Sequence, residues 1–160
     1  MNSSILYREY DWGSDEYGQA LILRNRLLRR PLGLCLYDEV LSAEKDFLHF
    51  GAFQEGQLLA TLLLVPEENG LYRMKQVAVE EAFQRQGIGL GLLQFCEAAL
   101  REKGAVGIVL HARKTAEPFY VKAGYVPTGE PFTEVGIPHQ AMEKRWDKKI
   151  ITFSAGQNWP

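Results

Sequence analysis

Three glycines crowd the opening of a helix. The stretch FQRQGIGLGLL at residues 83–93 sets Gly87, Gly89 and Gly91 on the first turn of a segment that goes on to carry an apolar helical stripe. Each glycine there costs roughly 1 kcal/mol relative to alanine, so something must need the bare backbone. A strand-like VAV at 77–79 leads through 80–86 into this helix start. Unpaired N–H groups and the positive end of the helix dipole make such a start an anion site. Gly87 and Gly89 would let a pyrophosphate approach the chain with no Cβ in the way, while Gln84, Arg85 and Gln86 frame the opening and Arg85 adds positive charge.

Spacing separates the phosphate loops that could be meant. A P-loop needs G-x-x-x-x-G-K followed by serine or threonine, which this stretch lacks. A dinucleotide fingerprint needs G-x-G-x-x-G in the first βα unit of a parallel sheet, whereas Gly87, Gly89 and Gly91 have another spacing and lie mid-chain. What remains is Gln/Arg-x-x-Gly-x-Gly/Ala, met by Gln84, Arg85, Gln86, Gly87, Ile88 and Gly89.

The elements that must position this loop follow from periodicity. SILYREY reads as a strand, and DEYGQALILRNRLLRRPLG as a helix with Ala20, Leu23, Leu27 and Leu28 on one face, stopped by Pro31 and Gly33. Residues 34–46 alternate poorly and read as a short helix or a loop. FLHFGAF, the turn QEG and QLLATLLLV form a hairpin, and LYRMKQVAV adds a third strand in meander order. The glycine-opened helix carries Ile88, Leu92, Phe95 and Ala99 along its face and ends at Gly104. VGIVLHA is a buried strand, TAEPFYVKAG a short helix closed by Gly124, and YVPTGEPFTEVGIPHQAMEKRW a final pair of strands. This order predicts an α/β fold around a mostly antiparallel sheet flanked by helices.

Composition narrows the partners. At 160 residues and 46% hydrophobic content, the chain is expected to form a single domain over 1–160. With 18 basic and 20 acidic residues, the formal charge of -2 draws neither nucleic acid nor an anionic membrane. No stretch reaches the ~18 apolar residues of a membrane span, the N-terminus lacks the pattern of a signal peptide, and Cys35 and Cys96 form no C-x-x-C. A cytoplasmic setting with reduced thiols, a small partner and a packing role for Cys96 are expected.

With its loop after VAV, the chain resembles the GNAT superfamily of acyl-CoA-dependent N-acyltransferases. A second motif supports this: RKTAEPFYVKAGY supplies Ala116, Phe119, Tyr120, Gly124 and Tyr125 where the family has an alanine, an aromatic pair and a glycine-aromatic. The resemblance covers about 47–146. Ile137, Pro138, His139 and Met142 also match the I-P-H-x-x-M strand of a small bacterial subgroup.

The resemblance implies acetyl-CoA as co-substrate and no metal. Strand QVAV would splay from GIVLHA, freeing backbone at Val77, Ala78 and Val79 to pair with the pantetheine arm, one amide polarising the thioester carbonyl. The side chains of Val77 and Val79 also read as an ordinary buried strand face. Gln84, Arg85, Gln86, Gly87, Ile88, Gly89 and Leu90 would hold the pyrophosphate. Tyr120 matches the family's general acid for the departing thiolate, or else packs beside Phe119. Arg113 stands where the family often has asparagine; it would meet a phosphate oxygen or carry a solvated charge. Candidates for the base that deprotonates the amine are His139, then His49, His111, Glu80, Glu39 and Asp38. Two classes stay open: an N-acetyltransferase acting on a primary amine, of a small molecule or an exposed amino group, and a non-catalytic acyl-CoA sensor. The family's habit also implies a homodimer, in which the tail IITFSAGQNW would cover a partner or a sheet edge.

Overall fold

In the computed structural model, which describes residues 4–147, SILYREY becomes strand β1, Leu6–Tyr10. It pairs antiparallel with β2, Leu48–Gln54, which pairs antiparallel with β3, Gln57–Pro66. The hairpin turn is shorter than QEG suggests. Glu55 and Gly56 alone make it, with φ of 51° and 80°, the paired left-handed residues of a two-residue turn. β4, Leu71–Val79, follows β3 in the strand order.

Helix α1, Asp15–Arg24, begins on Ser14, whose side chain accepts from the Tyr17 N–H at 3.2 Å, with Asp15 and Glu16 in the first turn. It continues through a π turn, Asn25–Arg29, and a 3-10 turn, Arg30–Leu32, and stops at Gly33 with φ 75°. The sequence places the stop correctly at Pro31 and Gly33. Tyr17, Ala20 and Leu23 are buried with Tyr10, Phe53, Leu58 and Ala78, while Leu27 and Leu28 are only partly buried. The poorly alternating stretch holds two short 3-10 turns, Leu36–Asp38 and Leu41–Glu44.

Helix α2 spans Ile88–Glu102. Its buried row is Ile88, Leu92, Leu93, Cys96 and Leu100. Phe95, expected on that face, is instead 37% exposed. The i, i+4 row from Ile88 runs through Cys96, leaving Phe95 at its border against the rings of Tyr7 and Phe50, at 6.3 and 6.0 Å. Gly91 has a packing reason: a Cβ there would overlap the Tyr7 hydroxyl. Gly91→Val should therefore destabilise the fold by about 1–3 kcal/mol through overpacking, read as a lower thermal midpoint. A midpoint equal to the parent's would contradict this packing role.

Strand β5, Gly107–Arg113, pairs antiparallel with β7, Ile137–Arg145, and β7 pairs antiparallel with β6, Val126–Glu134. At Gly107 a Cβ would lie 2.6 Å from the Lys144 carbonyl oxygen, so glycine permits the close approach to β7. Between β5 and β6 lies α3, Glu117–Lys122, with Pro118 in its first turn. Gly124 closes it at φ 99°, and the Tyr125 N–H reaches back to the Tyr120 carbonyl at 2.9 Å.

The protein is thus an α/β fold on a seven-stranded, mostly antiparallel sheet with helices, as its element order predicts. The chain divides into two compact units. Among the described residues, one comprises 4–65 with Met74–Ala99, holding β1, β2, most of β3 and the part of β4 from Met74; the other comprises Pro66–Arg73 with 100–147, holding the start of β4 and β5, β7 and β6 in that order. Among the described residues no helix is long and apolar enough to cross a membrane. The tail IITFSAGQNW, read as a cover for a partner or a sheet edge, lies outside the described residues.

Candidate cofactor site

Near its C-terminal end β4 departs from regular extended backbone. Gln76 adopts φ 55°, a left-handed conformation that a non-glycine residue holds at a cost of about 1–2 kcal/mol. Such a residue turns the next peptide off the pleat, as at a bulge, and Val77, Ala78 and Val79 come directly after it. Ala78 is 3% exposed, whereas Val77 and Val79 are partly buried. A cavity of about 390 Å³ opens on these residues, lined also by Gln84, Arg26 and Pro31. Arg26 is held there by Glu80, with Nη2 to Oε1 at 2.5 Å.

The loop after β4 is braced from within. The Gln84 side-chain amide donates to the Val79 carbonyl at 2.9 Å, and that of Gln86 to the Ala82 carbonyl at 3.1 Å. These two amides brace the loop whose opening Gln84 and Gln86 flank. Arg85 and Gly87 both adopt left-handed backbone, with φ of 66° and 82°, and alternation of this kind turns successive N–H groups into an anion-binding concavity. The Gly87 carbonyl accepts from the Gly91 N–H at 2.9 Å. The N–H groups of Ile88, Gly89 and Leu90 therefore belong to the first turn, which has no carbonyl one turn back to accept them. A Cβ on Gly87 would meet no atom within 4 Å. Its glycine answers to backbone conformation and to the open space in front of the loop.

Behind β4 lies a polar cluster that sequence reasoning missed. Arg24 is fully buried, and its Nη1 and Nη2 donate to Glu44 Oε1 and Oε2 at 3.0 and 2.6 Å. Its Nε donates to Gln76 Oε1 at 2.9 Å, and the Tyr17 hydroxyl donates to Glu44 Oε1 at 2.7 Å. His49 Nε2 lies 2.8 Å from the Glu44 backbone carbonyl, which only accepts, so this nitrogen carries the hydrogen. His49 Nδ1 is then a buried bare acceptor without a partner among the described residues. The signal was present in the sequence: Arg24 follows Leu23 and stands one turn after Ala20 on the apolar face of α1.

This cluster makes stability acid-sensitive. Burial holds His49 below its usual 6.5, so the unfolded chain binds the proton first as pH falls through 6.5. Desolvation pushes Glu44 upward, but the hydrogen bonds from Arg24 and Tyr17 outweigh it and hold the carboxyl below 4.5. Its contribution is complete above 4.5 and is lost as pH falls through the lower folded value. Urea midpoints are expected to decline from pH 7.5 to 5.5 and further to 4.0. Equal midpoints at pH 7.5 and 4.0 would contradict that sign.

In the second unit, Tyr120 is 7% exposed, its ring against Phe119 and Tyr125 at 5.1 and 5.8 Å. Burial pushes its phenol up to about 12, so it stays protonated through any working pH. His139 is 6% exposed and in register with Arg113 of β5 on one side and Phe132 of β6 on the other. Its Nδ1 lies 2.8 Å from the Ile137 carbonyl, an acceptor, so the neutral ring leaves Nε2 with its lone pair. Glu134 Oε2 stands 3.9 Å from that Nε2, and Glu134 Oε1 3.1 Å from His111 Nδ1. Of the remaining candidates, Glu80 is paired with Arg26 and Glu39 with Arg29. Among the described residues no group of three or more His, Cys, Asp or Glu side chains could hold a metal ion.

Left-handed backbone at Gln76 in β4, then at Arg85 and Gly87, leads into the start of α2, and known proteins share the fold that carries this arrangement. The family model described as an acetyltransferase (GNAT) domain matches residues 35–146. The uncharacterized N-acetyltransferase YitI of Bacillus subtilis (strain 168) is 32% identical over 123 residues, covering 72% of this chain and 81% of YitI. An acyl-CoA N-acyltransferase from Pseudomonas aeruginosa superposes with a TM-score of 0.74 at 27% identity, over 88% of this chain and 99% of that one. An aminoglycoside 6'-N-acetyltransferase complexed with coenzyme A shares the fold at a TM-score of 0.75 and 15% identity, over 88% of this chain and 96% of that one. By the matched domain and by this kinship, the chain is an acyltransferase and belongs to the GNAT family.

Proposed function

We propose that the chain transfers an acetyl group from acetyl-CoA to a primary amine, of a small molecule or an exposed amino group, by direct attack through a tetrahedral intermediate. The observation that carries this reading is the left-handed loop at Arg85 and Gly87, with space for a ligand in front of Gly87. Its first-turn N–H groups at Ile88, Gly89 and Leu90 fit a pyrophosphate, and a Cβ on Gly87 would fill the cradle. Acetyl-CoA supplies an activated thioester.

The residues divide the remaining work. Backbone at Val77, Ala78 and Val79 binds the peptide-like arm, and the Val77 N–H polarises the carbonyl under attack. Gln84 and Gln86 hold the loop's shape, Arg85 and Arg113 supply charge for phosphate oxygens, and Tyr120 donates the proton that the departing thiolate takes up. His139 Nε2, which carries the ring's lone pair with Glu134 Oε2 3.9 Å away, removes a proton from the attacking amine. The I-P-H-x-x-M pattern around His139 supports placing the chain in the small bacterial subgroup, as one domain over 1–160 that works in the cytoplasm. The free thiols of exposed Cys35 and buried Cys96 agree with a reducing compartment. A homodimer is the family's habit; light scattering at tens of micromolar would show it or remove it.

The test is release of coenzyme A thiol from acetyl-CoA across a panel of primary amines and N-terminal peptides. Amine-dependent release well above the rate of hydrolysis is expected. Tight binding without release on any amine would make the chain a binding module and overturn the catalytic reading.

A further inference from the structure

The Arg24 cluster joins four elements that the loop chemistry leaves unexplained: α1 through Tyr17 and Arg24, the 3-10 turn Leu41–Glu44 through Glu44, β2 through His49, and β4 through Gln76. A buried ion pair is not in itself a net gain in stability, because desolvation offsets the attraction between the charges. Leucine at position 24 would satisfy the apolar face of α1 at least as well. The pair's geometry offers a reason for it. Glu44 occupies both terminal nitrogens of Arg24, leaving Nε aimed at Gln76 Oε1 at 2.9 Å.

Gln76 is the residue of β4 with a left-handed backbone. Strained backbone persists only where the surroundings over-determine it, and the Arg24 hydrogen bond fixes this side chain from a guanidinium that is itself locked in place. We propose that Arg24, clamped by Glu44, is a positioning residue. It holds Gln76 in the left-handed state and so aims the Val77 N–H that meets the thioester carbonyl. This rests on the proposed role of Val77 and extends it to residues that touch no substrate.

The test compares Gln76→Met, which keeps the length but removes the acceptor, with Gln76→Glu, which keeps an acceptor for Arg24. In Gln76→Met, kcat is expected to fall about tenfold or more while the Kd for coenzyme A stays within about threefold, since the phosphate loop is untouched. Gln76→Glu should restore kcat to within a few fold of the parent. In amide spectra of the unliganded protein, the Val77 resonance should move in Gln76→Met and return toward its parental position in Gln76→Glu. A merely structural role would lower the melting temperature of the Met variant and leave kcat unchanged well below it. Parental kcat with an unmoved Val77 resonance overturns the proposal. If the parent itself neither binds coenzyme A nor turns over, the cofactor reading has failed; the Val77 resonance still decides whether Arg24 positions the strand.

Discussion

Gly87→Val is expected to abolish coenzyme A binding, with an affinity loss of about 100-fold or more, in a protein that remains folded. Two effects act together. Gly87 sits at φ 82°, where a β-branched residue is an outlier, so the loop must rearrange to accept valine. The new Cβ would also stand in open space, with no atom beyond the flanking residues within 4 Å, on the side assigned to pyrophosphate. The contrast with Gly91 makes the test specific. Gly91→Val should lower stability through Tyr7 and leave the Kd nearly parental, whereas Gly87→Val should lose affinity, with only the local strain of its left-handed backbone as a cost in stability. Titration calorimetry on both variants, with circular dichroism to confirm folding, gives the answer. Unchanged affinity in a folded Gly87→Val protein would remove the loop from the site.

Tyr120→Phe is expected to lower kcat by roughly 10- to 1,000-fold while the Kd for acetyl-CoA stays within a few fold. Phenylalanine keeps the ring contacts with Phe119 and Tyr125, so the pocket keeps its shape while the leaving thiolate loses its donor. A thiolate of pKa near 8.5 leaves without great difficulty, which bounds the loss. Because the buried phenol titrates at about 12, it should produce no limb in the rate profile below about pH 11, and parent and variant should share one profile shape on the acid side. Burial also fixes the sign for stability. The folded value lies above the unfolded 10, so the contribution is complete below pH 10 and is lost as pH rises toward 12. Parental kcat in the Phe variant would make Tyr120 a packing residue.

What the sequence shows and what it hides divide along the range of the interactions. The loop's place between a strand and a helix start was legible because its signals are local: β4, Gln84, Gly87 and the start of α2 lie within a few residues of one another. The hairpin, the stop of α1 at Gly33 and the closure of α3 at Gly124 are likewise set by neighbouring residues. Phe95 was misplaced because the i, i+3 and i, i+4 rows diverge on a helix surface, and only packing selects the buried one. The role of Gly91 depends on Tyr7 in another element. Arg24 was missed because its partners, Glu44 and Gln76, lie 20 and 52 residues away, and an arginine in a helix reads by default as solvated charge. The left-handed turn at Gln76 has no sequence signal, since glutamine is not a residue that favours it.

The central claim is that the chain holds coenzyme A on the backbone of the loop at 84–90 and the strand before it. Calorimetric titration of the full chain with coenzyme A tests it most directly. One site per chain in the micromolar range is predicted, with a rise in thermal midpoint as the ligand is added. Neither heat nor a midpoint shift at millimolar coenzyme A would contradict the claim.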